Sequence, residues 1–231
     1  MQSIAENVRS VKENIASICK RTGRNPNEIT IVAVTKTFPK EIILEVLQTN
    51  LFDIGENFVQ ELREKKEQIH DERIRWHFIG HLQRNKVKYI APWISVIHSV
   101  DSVELAVEIN KRAEQSSRTI EVFLEVHTTN EDTKHGIKPE ETILIAKEMQ
   151  KFSNIHLNGL MTMGPLSDNA EDARPSFKML RKLKTDLYYN GIDAPQLSMG
   201  MSGDYEIAIE EGATMIRLGT ALFGERKYSS L

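Results

Sequence analysis

Eight short apolar runs recur along the chain, and between them lie segments whose apolar residues repeat at helical spacing. The runs are Thr30–Lys36, Leu51–Gly55, Arg75–Ile79, Val96–Val100, Ile120–His127, His156–Met161, Gln196–Met201 and Thr214–Leu218. Near-continuous, β-branched runs of this kind are buried on both faces, as in a parallel sheet covered by helices. Pro39, Asp101, Pro139, Asp172 and Asp204 stand at or near the expected helix starts, and Gly191 and Gly212 at two stops. Ser102-Val103-Glu104-Leu105 adds the acidic first turn that a helix N-terminus favours. An amphipathic helix over residues 2–21 precedes the first strand. The pattern predicts an α/β fold, a single (β/α)8 TIM barrel with an extra N-terminal helix. An open doubly wound sheet fits less well, because no G-x-G-x-x-G turn follows the first strand. No linker, repeat or low-complexity stretch divides residues 1–231, which read as one domain.

With 40% hydrophobic and 27% charged residues, the chain can bury one sizeable core. A net charge of −3 supplies no long-range attraction for nucleic acid. The basic clusters Arg63, Lys65 and Lys66, then Arg84, Lys86 and Lys88, then Lys178, Arg181, Lys182 and Lys184 all read as solvated outer faces of helices. No apolar run approaches bilayer length and Met1–Asn7 lacks a signal-peptide plan, so a cytoplasmic protein with no membrane partner is expected. The single cysteine, Cys19, cannot form an internal disulfide and shares an apolar helical stripe with Ile15 and Ile18, which predicts core packing. The seven histidines show no ligand spacing, so no metal site is expected.

Polar residues at strand ends carry the chemistry, because ligands of parallel α/β folds bind at the carboxyl ends of the strands. Lys36 is the only charge in the run from Ile29 to Pro39. Desolvated, such an amine attacks carbonyls to form a Schiff base; the alternative is a lysine that reaches solvent or pairs with a rim carboxylate. The last two strands run into Ser198-Met199-Gly200-Met201-Ser202-Gly203 and Leu218-Gly219-Thr220. Hydroxyls and small residues there suit an anion, and the loops after strands seven and eight are where barrels hold phosphate. As isolated pairs they equally suit turns and caps. Arg217, among Met215, Ile216 and Leu218, must line a site or find an internal ion pair, for which Glu125 is one partner. Asn57 and His81 also fall at strand ends, where each suits a ligand contact or a helix cap.

Together the lysine, the anion cradle and the arginine suit a phosphorylated aldehyde. The motifs Val32-Ala33-Val34-Thr35-Lys36, Ile54-Gly55-Glu56-Asn57, Trp76 through Lys86, Gly159-Leu160-Met161-Thr162-Met163 and Leu197 through Gly224 resemble the pyridoxal phosphate homeostasis protein family. That family forms a single barrel similar to the N-terminal domain of alanine racemase. The resemblance covers essentially the whole chain. It implies that Lys36 carries pyridoxal 5′-phosphate (PLP) as a Schiff base. It also implies that Ser202, Gly219 and Thr220 hold the phosphate, that Arg217 faces the pyridine nitrogen, and that Asn57 and His81 lie near the cofactor.

A racemase places acid and base groups on both faces of a substrate carbon. In alanine racemase a tyrosine from the partner subunit and a C-terminal β-domain complete the site, and this chain ends seven residues after Gly224. Tyr205 and Tyr228 remain as proton donors on paper, with packing or surface roles favoured. The expectation is therefore a monomeric PLP carrier that holds and releases the cofactor, with PLP-dependent apoenzymes as recipients. The alternative is a PLP-dependent enzyme with weak racemase-like action on amino acids.

Overall fold

The structure, a computed structural model, describes residues 3–129 and 135–224. Its strands are β1 (Thr30–Val34), β2 (Asp53–Glu56), β3 (Arg75–Phe78), β4 (Val96–Val100), β5 (Ile120–Glu125), β6 (Ile155–Met161), β7 (Gln196–Ser198) and β8 (Met215–Leu218). They pair in parallel in chain order and close into a barrel. The closing seam sets Thr30 opposite Met215 and Ala33 opposite Leu218. Closure leaves no open sheet edge, so every strand finds two neighbours.

The helices are α1 (Ile4–Thr22), α2 (Lys40–Leu47), α3 (Val59–Gln68), α4 (Val103–Gln115), α5 (Thr142–Met149), α6 (Arg174–Tyr189), α7 (Tyr205–Glu210) and α8 (Thr220–Phe223). The leading helix begins where Ser3 and Glu6 cap each other reciprocally and stops at Gly23, whose φ of 69° suits glycine. Its stripe of Val8, Val11, Ile15, Ile18 and Cys19 is buried in the main core, as the periodicity predicts. Among the described residues, no helix is long and apolar enough to cross a membrane.

Three local departures from the sequence pattern have physical causes. The first strand stops at Val34, and Lys36 sits in a turn closed by Phe38 N donating to Thr35 O at 3.0 Å, with Thr37 at a φ of 67°. The seventh stops at Ser198 because the chain turns at Gly200, whose φ is 95° and where a Cβ would lie 2.5 Å from Ala208 Cβ. Between β3 and β4 the expected helix is a 3-10 run, Arg84–Tyr89. Pro92 and the pre-proline position Ala91 prevent it from continuing as an α-helix.

Inside the barrel, Val32, Val96, Phe123, Met161 and Met215 form an apolar cluster separate from the shell between strands and helices. The interior is not apolar throughout. His77, His98, Ser198, Glu125 and Arg217 are all buried as well.

Candidate functional site

The Lys36 turn is anchored from behind by a buried ion pair. Lys65 of α3, read from sequence as part of a solvated face, is instead buried. Its Nζ donates to Glu56 Oε1 at 2.6 Å, Glu61 Oε1 at 2.7 Å and Thr35 O at 2.8 Å. Thr35 Oγ1 donates to the same Glu56 oxygen at 2.6 Å, and Glu61 accepts from Thr37 N at 2.6 Å. Both residues flanking Lys36 are thereby fixed. Burial pushes the Glu56 carboxyl up despite the opposing bonds from Lys65 and Thr35. Helical spacing carried a signal for this, since Lys65 lies three residues after Leu62 and four before Ile69, both apolar and buried.

The β7 and β8 loops meet beside that turn. Ser202 Oγ accepts from Gly219 N at 3.2 Å and from Ala221 N at 3.1 Å, so one hydroxyl joins the two loops. A Cβ at Gly219 would lie 3.6 Å from Val34 O, and the Phe38 and Phe223 rings pack with centroids 5.0 Å apart. Ser202, Gly219 and Thr220 therefore flank the end of β1 across the closing seam. Asp204 Oδ1 accepts from Met201 N at 2.6 Å and shapes the first of these loops.

Beneath these loops lies Arg217. Its NH1 donates to Ser198 Oγ at 2.7 Å and its NH2 to Thr162 O at 2.9 Å. Among the described residues it makes no ion pair with Glu125. Burial pulls the guanidinium down to about 10, against the charges of Asp204 and Glu125. Burial likewise pushes the Glu125 carboxyl up to about 7; Asp101 adds to the rise and Arg217 opposes it.

Asn57 and His81 stand together on another side. They line a cavity of about 590 Å³ with Arg63, Lys86 and Tyr89, and none of the other candidate residues reaches it. Asn57 Oδ1 is buried with no partner among the described residues. A Cβ at Gly80 would fall 2.2 Å from Asn57 O, so only glycine lets these two strand ends approach. His81 Nδ1 lies 3.4 Å from Asp101 Oδ2 and its ring stacks on His135 with centroids 4.0 Å apart. One ligand atom each from His81, Asp101 and His135 lies within 4.8 Å of the others, a grouping that spacing along the chain did not reveal.

Of the two tyrosines, Tyr205 is buried and its hydroxyl accepts from Asn14 Nδ2 of α1 at 2.7 Å, which is a packing role. Tyr228 lies outside the described residues.

The family model described as alanine racemase, N-terminal domain, matches residues 7–227. A pyridoxal phosphate homeostasis protein of Aquifex aeolicus is 45% identical over 96% of this chain and 98% of its own. The chain belongs to the pyridoxal phosphate homeostasis protein family. PipY of Synechococcus elongatus, solved with PLP bound, superposes with a TM-score of 0.85 at 30% identity, covering 96% of this chain and all of its own. Alanine racemase of Clostridium difficile shares the fold, with a TM-score of 0.77 at 18% identity over 97% of this chain and 58% of its own.

Proposed function

We propose that this protein binds PLP covalently and reversibly through Lys36 and holds it for release or delivery to apoenzymes, residues 1–231 acting as one unit. The observation that carries the reading is the meeting of the Lys36 turn with the Ser202 and Gly219 loops across the β1–β8 seam, above a buried guanidinium. It agrees with the PLP bound to PipY. Bound PLP supplies an aldehyde that an amine captures and a pyridine ring that withdraws electrons.

In this reading each residue has a distinct task. Lys36 offers its amine from a turn whose neighbours are clamped by Glu56, Glu61 and Lys65. Ser202, Gly219 and Thr220 offer hydroxyl and backbone donors to a phosphate, and small residues keep the approach open. Arg217 donates toward the pyridine nitrogen; a guanidinium that keeps its proton disfavours protonation of that nitrogen and weakens the ring as an electron sink. Asn57 and His81 stand at the margin. The arrangement serves holding better than carbanion chemistry.

Loading the purified protein with PLP, reducing with borohydride and mapping the peptides tests the anchor. The label is expected on the peptide containing Lys36, and Lys36→Ala is expected to lose it while keeping some affinity through the phosphate contacts. A reducible adduct of wild-type yield in Lys36→Ala would assign another anchor. The second reading, turnover of amino acids, draws on Glu125, a buried carboxyl titrating near neutrality beside the Arg217 charge. Steady α-hydrogen exchange of amino acids in deuterated water, abolished by Glu125→Gln, would replace the carrier reading.

A further inference from the structure

A chain of buried hydrogen bonds crosses the barrel interior from Arg217 to the start of β2. Ser198 Oγ, the acceptor of Arg217 NH1, lies 2.8 Å from His98 Nδ1. His98 Nε2 lies 2.8 Å from His77 Nδ1, and His77 Nε2 lies 2.9 Å from Asp53 Oδ1. Both imidazoles are fully buried, whereas Asp53 begins β2 at the opposite end of the barrel from the Lys36 turn and also pairs with Arg75 at 3.1 Å.

The proton positions along this chain follow from its two ends. Arginine only donates and an ionised carboxylate only accepts. With Asp53 ionised, His77 must carry its proton on Nε2, which makes its Nδ1 an acceptor. His98 must then carry its proton on Nε2 and accept at Nδ1. That acceptor takes the Ser198 hydroxyl proton, and the Ser198 lone pairs take Arg217. Every contact is satisfied with both histidines neutral. The opposite polarity needs an imidazolium inside the barrel or a protonated Asp53.

The side-chain environments favour the first arrangement. Burial lowers His77, against the pull of Asp53, and lowers His98 well below the usual histidine value, with the Arg217 charge adding to the fall. Burial works against the Asp53 charge, but His77 and Arg75 outweigh it and hold the carboxyl below its ordinary range.

We propose that Asp53, His77, His98 and Ser198 form a hydrogen-bond relay of single polarity that positions the Arg217 guanidinium from the opposite end of the barrel. Its consequence for the cofactor rests on the function proposed above, because Arg217 is the group that faces the pyridine ring there. The four are positioning residues; none of them touches the ligand in this arrangement. Residues remote from the binding mouth thereby govern the electronic environment of the ring.

Ring-nitrogen NMR of histidine-labelled protein without cofactor tests the relay itself. Both His77 and His98 are expected as neutral Nε2–H tautomers, and Asp53→Ala is expected to release an Nδ1–H population at His98, two hydrogen bonds away. Should that variant fail to fold by its thermal melt, Asp53→Leu, which fills more of the space and likewise removes the acceptor, serves in the same comparison. An imidazolium or an Nδ1–H tautomer at either position in the wild type, or unchanged tautomers in the Asp53 variant, overturns the relay. In PLP-loaded protein, Asp53→Ala and Ser198→Ala are each expected to shift the absorbance maximum of the bound cofactor, a change that loss of packing alone would not produce. A maximum unmoved in both variants, with cofactor bound, overturns the positioning. Failure of the wild type to bind PLP overturns the function above instead, and the NMR result then decides the relay alone.

Discussion

Lys65 and Glu125 are buried for opposite reasons, and their variants should separate the two. Lys65 satisfies Glu56 and Glu61 at once, so Lys65→Ala leaves the buried Glu56 carboxylate without its counter-charge. We expect that change to cost about 3–5 kcal/mol in denaturant unfolding, and the double change Glu56→Gln with Lys65→Met to cost far less, because it removes both charges. Glu125 is held up at about 7 from an ordinary 4.5. Its folded value exceeds its unfolded one, so its contribution is fully present below pH 4.5 and is lost as pH rises through about 7. Glu125→Gln should therefore match the wild type in acid and exceed it above neutrality, by up to about 3 kcal/mol. Melting curves at pH 4.5 and 8 check the sign. Both Lys36 and Arg217 were legible as charges in apolar runs. The same signal marks His77 between Trp76 and Phe78 and His98 between Ile97 and Ser99, but a single polar residue in a strand does not name its partner.

At the scale of elements, turns decide what the strands present. Gly200 ends β7 early and lets α7 pack against the strand, with Ala208 Cβ 2.5 Å from where a side chain would start. Gly200→Ala combines a disfavoured φ with that overlap, and we expect a loss of about 1–3 kcal/mol in chemical denaturation. PLP affinity should fall alongside, because Ser202 rides on the same loop; binding titrations on the folded variant read that loss. Alternating hydrophobicity could not place such an ending, since Gln196–Met201 remains strand-like as a pattern and only the packing of Ala208 forbids it. The run after β3 stops short for a local reason, a proline at position 92, that the sequence already displayed.

At the scale of the whole molecule, cofactor binding and stability are linked. A ligand that binds only the folded barrel at one hundred times its Kd stabilises it by about 2.7 kcal/mol. Wild-type melting temperature should rise with added PLP, and Lys36→Ala should keep only the part supplied by the phosphate contacts. Differential scanning calorimetry across a PLP series measures both. Closure of the barrel is what makes this linkage global: Lys36 follows β1 while Ser202, Gly219 and Thr220 follow β7 and β8, so the proposed site forms only when the first and last strands pair.

The eight strands, their alternation with helices and the two misplaced charges were settled by the amino-acid sequence, because hydrophobic periodicity and the cost of a buried charge act over a few residues. The tertiary structure alone decided which polar groups meet. Ser198 and His98 bond across 100 residues of chain, and Arg217 reaches Ser198 across 19. Such meetings depend on strand register in a closed sheet, where a slip of one residue would turn each of these side chains to the opposite face.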